Sequence, residues 1–208
     1  RLNDFVYVEK GGEIIPKILE VDKTLRDPSS KPVEFPAKCP VCSSKLERET
    51  DGVITYCNSI NCSAQLWRRI THFASREAMD IEGMGEAVVK QLLDNHIINS
   101  IADIYKIDYE KVKLLEKQAD KSAENLRKAV EKSKNQSLEK LIHGLGIRYI
   151  GIKTAKILAS SFSDMDELIK ADYESLLLIE EIGEKIAQSL RDFFSNAENL
   201  RLIESLRD

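Results

Sequence analysis

Ile147-Arg148-Tyr149-Ile150-Gly151 is followed by Thr154, Ala155 and Leu158. The same pattern stands at three other places between Ile81 and Leu190. Ile81-Glu82-Gly83-Met84-Gly85 precedes Val88, Val89 and Leu92, and Leu115 through Ala119 precedes Ser122, Ala123 and Leu126. Ile179-Glu180-Glu181-Ile182-Gly183 precedes Ile186, Ala187 and Leu190. The starts lie 34, 32 and 32 residues apart, a period of paired-helix repeats. The template is an apolar residue, a tight glycine turn, then a helix with a small residue one turn in. Such a turn feeds a helix N-terminus whose first backbone N–H groups have no partner within the helix, and these can receive an anion. Four on one scaffold point to a polyanion such as a nucleic-acid backbone.

Two plainer readings compete. A tetratricopeptide array also has a period of about 34, but its Trp, Tyr and Pro positions are unmatched here. The glycines could be simple helix C-caps, and the near-constant recurrence favours anion binding instead. The second repeat departs from the template, with Lys117 and Ala119 where glycines are expected. Alanine disfavours positive φ, so this turn is expected to be distorted and a weak phosphate site.

The chain has 208 residues, 42% of them hydrophobic, enough for more than one small core. It starts at Arg1 within strand-like sequence, which reads as a fragment. No signal peptide or membrane-length apolar run is present, and a soluble, cytoplasmic protein is expected. The net charge of −4 runs against a generally basic nucleic-acid binder. Its distribution differs: residues 63–76 hold Arg68, Arg69 and Arg76 without an acid, and residues 140–163 hold Lys140, Arg148, Lys153 and Lys156 without one. Such runs are also what ordinary solvated helix faces look like.

Residues 3–25 read as two strands turning at Gly11-Gly12, with Pro16 marking an edge or bulge. Two strands alone are marginal, so they read as the end of a larger sheet domain. Pro28, Pro32 and Pro36 mark residues 26–38 as a linker. Asp51-Gly52 between Leu46–Thr50 and Val53–Tyr56 reads as a hairpin turn. Ser63 is a candidate cap for a helix whose stripe is Leu66, Trp67, Ile70 and Phe73, with Trp67 read as core. Residues 190–206 read as one or two closing helices.

All four cysteines fall in Cys39-x2-Cys42 and Cys57-x4-Cys62. Two short knuckles flanking a hairpin can deliver four thiolates to a tetrahedral zinc ion. So small a segment buries little core, and the metal would supply folding free energy. Disulfides do not suit a cytoplasmic protein, and a redox Cys-x-x-Cys belongs to a βαβ setting absent here. Four thiolates leave no open position, so the zinc is structural rather than catalytic.

The candidate DNA contacts are Gly83 and Gly85 in repeat one, Gly183 and Lys185 in repeat four, and Arg148, Gly151, Lys153, Thr154 and Lys156 in repeat three, joined by Arg68 and Arg69. Repeat three is best equipped, since Glu86 weakens repeat one and Glu180, Glu181 and Glu184 weaken repeat four. Ala123, Ala155 and Ala187, with Val89 in repeat one, read as packing residues where paired helices cross. Phosphate contacts of this kind read no base edges and are independent of sequence.

Taken together, these features resemble the C-terminal half of the bacterial NAD-dependent DNA ligases. Val8–Ile18 looks like the end of that family's OB fold, and the four cysteines match its zinc finger. Arg69–Arg76, Ala78–Gly85 and Leu145–Gly151 are similar to its hairpin region. The resemblance implies a mainly α chain. Residues 1–35 would be the OB end and linker, 36–64 a four-cysteine zinc finger and 65–208 four helix-hairpin-helix motifs. It further implies the DNA-gripping part of an enzyme that seals nicks in duplex DNA, a bacterial cytoplasmic monomer. Such an enzyme uses NAD and Mg2+ on an upstream nucleotidyltransferase domain, and a BRCT domain follows. No Lys-x-Asp-Gly sequence occurs here, since Glu49-Thr50 precedes Asp51-Gly52, so the chain alone is expected to be inactive. Two alternatives stand beside it: a non-enzymatic helix-hairpin-helix binder of DNA structures in repair, and a zinc-stabilised protein-interaction module.

Overall fold

A computed structural model describes residues 1–10, 15–48, 54–57, 59, 62–115 and 119–207. The expected turns at Gly11-Gly12 and Asp51-Gly52, and Lys117 of the second hairpin, lie outside the described residues. The chain divides into two compact units, Arg1–Asn58 and Ser59–Asp208.

In the first unit β1 (Phe5–Lys10) pairs antiparallel with β2 (Pro16–Asp22). Pro16 does not interrupt the strand; it opens it, opposite Lys10, and the irregularity falls between Tyr7 and Val8. A strand's first residue tolerates the missing N–H. Phe5, Val8, Ile18 and Leu19 are all more than half exposed, an apolar ribbon that two strands cannot cover. The expected linker is tied down where it begins: Arg26 donates two 2.8 Å hydrogen bonds to Asp4. That fork, with the N-terminal ammonium 3.0 Å away, holds the Asp4 carboxyl well below the usual range. Two short antiparallel strands follow, β3 (Leu46–Arg48) and β4 (Thr55–Cys57).

The second unit is helical. Its α-helices among the described residues are α1 (Ser63–Ala74), α2 (Glu86–Asp94), α3 (Tyr109–Lys113), α4 (Asp120–Ser133), α5 (Leu138–Gly144), α6 (Ile152–Ser161), α7 (Met165–Lys170), α8 (Tyr173–Leu177), α9 (Glu184–Ser195) and α10 (Ala197–Ser205). The N-cap of α1 is Cys62 rather than Ser63, and no side chain caps it. Ile70 and Phe73 are fully buried, while Trp67 packs half-buried on the same core with the Lys90 ammonium 4.6 Å from its ring centroid. Asn196 breaks the closing segment in two, its side chain accepting hydrogen bonds from the Glu198 and Asn199 backbone at the start of α10.

Each hairpin packs one helix on the next: α1 on α2, α3 on α4, α5 on α6, α8 on α9. The packing residues sit where the repeat places them, with Val89, Ala123, Ala155 and Ala187 all fully buried. The structure adds a longer period. One core gathers Ile70 to Val130 and a second Ile142 to Ile203, so the hairpins work in pairs. Asp108 and Asp172, 64 residues apart, each cap a five-residue helix that begins with tyrosine. A lone helical hairpin leaves its apolar stripe open; pairing two closes a core.

Leu158 is fully buried in the second core. Leu158→Ala is expected to cost about 2–5 kcal/mol by reduced burial and a cavity, and Lys121→Ala at an exposed position to stay within about 0.5 kcal/mol. Urea unfolding followed by circular dichroism measures both.

Candidate zinc centre and anion-binding turns

Cys39 and Cys42 stand on a turn closed by Ser43 N–H donating to Cys39 O at 2.9 Å and Cys39 N–H to Ser44 O at 2.8 Å. Ser43 takes a left-handed φ of 59°, and a bridge pairs Lys38 with Lys45. Cys57 ends β4. Cys62 heads α1 and is 1% exposed. The four sulfurs all lie within 4.8 Å of one another, and Cys42 Sγ is 3.5 Å from Cys57 Sγ. None of the four is in a disulfide. Tetrahedral zinc with Zn–S bonds of about 2.3 Å sets sulfurs about 3.8 Å apart, so the cluster fits the ion after small closure.

The knuckle is also tuned for thiolate. The Ser44 hydroxyl and backbone N–H draw the Cys42 thiol down to about 6. The N–H groups of Cys42 and Val41 lower Cys39. Hydrogen bonds to the charged form favour it, and thiolate is what binds the metal. Zinc would tie the two knuckles together through their sulfurs.

The second group of candidates lies on the hairpin turns. The residues that cap the second helix of each hairpin are Gly85, Ala119, Gly151 and Gly183. All four are extended, with φ between −74° and −91° and ψ between 168° and 177°, and none has a side-chain cap. Each carbonyl accepts the first helical bond, from Val89, Ala123, Ala155 and Ala187. The N–H groups one and two residues past each cap therefore face outward with the positive end of the helix dipole behind them.

This geometry corrects one expectation. The capping glycines are not at positive φ; the left-handed residue lies two positions earlier, at Gly83 (φ 89°), Tyr149 (φ 62°) and Glu181 (φ 68°). Ala119 itself is extended, with a φ of −74° that suits alanine, while residues 116–118 of its turn lie outside the described residues. Why glycine elsewhere, then? A Cβ built at Gly83, Gly85, Gly151 or Gly183 meets nothing within 4 Å. Space inside the protein does not demand these glycines, though glycine is a tolerated N-cap.

Charges are less evenly placed. Arg68, Arg148, Lys153, Lys156 and Lys185 are exposed, and Thr154 and Arg69 half-buried. Arg148 lies over Tyr149, its guanidinium 5.0 Å from the ring centroid, and its carbonyl accepts from Ser189 Oγ at 2.8 Å. That bond pins the third turn to α9 of the fourth hairpin. Lys153 is engaged at 2.5 Å by Glu181, a pairing that sequence spacing gave no way to see. Thr154 caps nothing, as α6 has no side-chain cap.

Cys57→Ser is expected to drop zinc from one ion per chain to none and to unfold the strands of residues 39–62, while the helical circular dichroism stays. Metal analysis beside far-UV spectra checks this.

Comparison with known proteins sharpens both sites. Residues 38–64 match the model of the NAD-dependent DNA ligase C4 zinc finger domain, and residues 140–203 that of the helix-hairpin-helix motif. Over all of its length the chain is 46% identical to a DNA ligase of Carboxydothermus hydrogenoformans. It is 44% identical to one of Flavobacterium psychrophilum and 43% to one of Thermoanaerobacter pseudethanolicus. It spans 31% of the length of each of these relatives. No helix among the described residues is long and apolar enough to cross a membrane. Residues 38–64 are thus similar to the C4 zinc finger of the NAD-dependent DNA ligases, and over its whole length the chain is similar to the C-terminal portion of proteins named DNA ligase.

Proposed function

We propose that this chain is the part of an NAD-dependent ligase that grips duplex DNA around a nick, holding the phosphate backbone without reading sequence. The observation that carries the reading is the repeated helix start. Four outward N-termini share one backbone conformation, three of them on a bare glycine. A phosphate brought against such a turn accepts from the N–H groups of the first helical turn. Gly83 and Gly85, Gly151 and Gly183 permit the approach, and Thr154 lies beside the third site. Arg68, Arg69, Arg148, Lys153, Lys156 and Lys185 add charge. Ala119 makes the second hairpin a fourth site that approaches less closely, because its methyl group stands where the others have hydrogen.

Residues 1–35 would be the end of an OB fold with its linker, 36–64 the zinc finger and 65–208 the hairpin domain. The exposed apolar ribbon β1–β2 is what the last strands of a barrel look like without the rest. NAD and Mg2+ would act on a nucleotidyltransferase domain elsewhere in the same protein, with a BRCT domain as a further part. Monomeric action in a bacterial cytoplasm is the setting this implies. A non-enzymatic binder of DNA structures would share the hairpins; the ligase-type zinc finger over residues 38–64 favours the ligase.

Two outcomes test the grip. Arg148→Ala with Lys153→Ala should weaken nicked-duplex binding in fluorescence anisotropy. It should also lower the slope of log K against log[salt] by about 0.9 for each phosphate that is no longer neutralised. Gly151→Val meets open space in the free protein, so it should cost no more than about 2 kcal/mol of stability yet reduce duplex affinity at least several-fold. Unchanged affinity in both variants would exclude the third hairpin from the contact.

A further inference from the structure

Among the described residues three surface grooves of the helical unit involve hairpin turns, and they differ in charge. One sets Asp80, Glu82 and Gly83 against Lys128 and Lys132 of α4. Another sets Glu180 and Glu181 against Lys153 and Lys156 of α6. The third lies between α1 and the turn of the third hairpin, has a volume of about 360 Å³ and contains Arg68, Arg69, His72 and Gly146. Among the described residues no carboxylate lines it. Its remaining wall is Gly144, Leu145, Ile147 and Ile150, which lowers the local dielectric and strengthens any charge–charge contact made there.

We propose that this groove is an oxyanion pocket for one backbone phosphate of duplex DNA, with Arg69 as its inner guanidinium and Arg68 at its rim. The proposal rests on the DNA-gripping reading above and adds a contact that is not a helix N-terminus. Arg69 is half-buried, and burial pushes its pKa below the ordinary arginine value. Among the described residues no acceptor or acid pairs with it, whereas Arg26, Arg127 and Arg207 each hold a carboxylate. A guanidinium that gives up water without gaining an acceptor is costly, and a phosphate returns the two-pronged bonding that its planar fork is shaped for.

The pocket's frame is fixed. His72 Nε2–H donates to the backbone carbonyl of His143 at 2.8 Å, and the two imidazoles pack edge to face at 4.8 Å. That bond ties α1 to α5, so the arginines and the third hairpin move as one body. Gly146 bends the wall at φ 66°, just before Arg148 of the third turn. The groove's Ile147 and Ile150 belong to the turn that runs into the α6 cap Gly151, so a phosphate here would adjoin one on the α6 N-terminus. The third hairpin would then anchor DNA through two adjoining contacts.

The test uses the chain as it stands. Arg69→Met keeps the apolar stem and removes the charge, and Arg69→Lys keeps the charge without the fork. With nicked duplex across a salt series, Arg69→Met should weaken binding about 10-fold or more and reduce the salt slope by about 0.9. Arg69→Lys should restore the slope but only part of the affinity. Titration of the wild type with inorganic phosphate, followed by nuclear magnetic resonance, should shift the Arg69 Nε–H and Gly146 N–H signals together. Wild-type affinity and slope in Arg69→Met would overturn the pocket, as would a weakened affinity with an unchanged slope, since that marks a packing role. If the wild type fails to bind duplex, the DNA-gripping reading falls; the phosphate titration then decides the pocket independently, and silent Arg69 and Gly146 signals overturn it.

Discussion

The proposed grip of the hairpins rests on one backbone constraint: an extended residue with no capping side chain immediately before a helix. At Gly85, Ala119, Gly151 and Gly183 the chain enters the helix with φ near −80° and ψ near 170°. A serine or aspartate at the cap would satisfy the first N–H groups internally, as Asp108 and Asp172 do for α3 and α8. Leaving them unsatisfied gives up a stabilising contact of about 1 kcal/mol per helix and keeps donors ready for an external anion. The chain thus uses both devices, capping the first helices of the second and fourth hairpins and leaving the second helices open.

Pairing of hairpins is what makes open turns tolerable. Each double hairpin closes its own core, and Val89, Ala123, Ala155 and Ala187 let the helices cross with no side-chain bulk between them. Ser189 on α9 then holds the Arg148 carbonyl, so the turn that offers donors is itself held by the neighbouring hairpin. The Lys153–Glu181 pair joins the same two hairpins across their tips. Both partners are largely solvated, so this pair contributes little to stability, and its meaning is local electrostatics. An incoming phosphate must displace one carboxylate to reach Lys153.

Much of this could be read from residues alone because the decisive signals are short-range. The 32- and 34-residue spacings located every hairpin, and the buried alanines fell where the repeat put them. The cysteine spacings named the four sulfurs that the fold gathers. What could not be read depends on φ or on tertiary placement. Glycine was expected at positive φ, yet in the third and fourth hairpins Tyr149 and Glu181 take that conformation. Cys62 rather than Ser63 is the cap of α1, and it is also one of the four clustered cysteines. The Arg69 groove joins positions more than seventy residues apart, Arg69 and Gly146, and no local pattern announces it.

The central claim is that backbone amides at the helix starts, rather than side-chain charge alone, receive the phosphates. Backbone hydrogen exchange read residue by residue, with and without nicked duplex, addresses it most directly. The account predicts slowed exchange at Glu86 and Ala87, Ile152 and Lys153, and Glu184 and Lys185, with the interiors of the same helices unchanged. Duplex bound with no slowing at these six amides would contradict it, and would leave the hairpins as scaffold for side-chain charge alone.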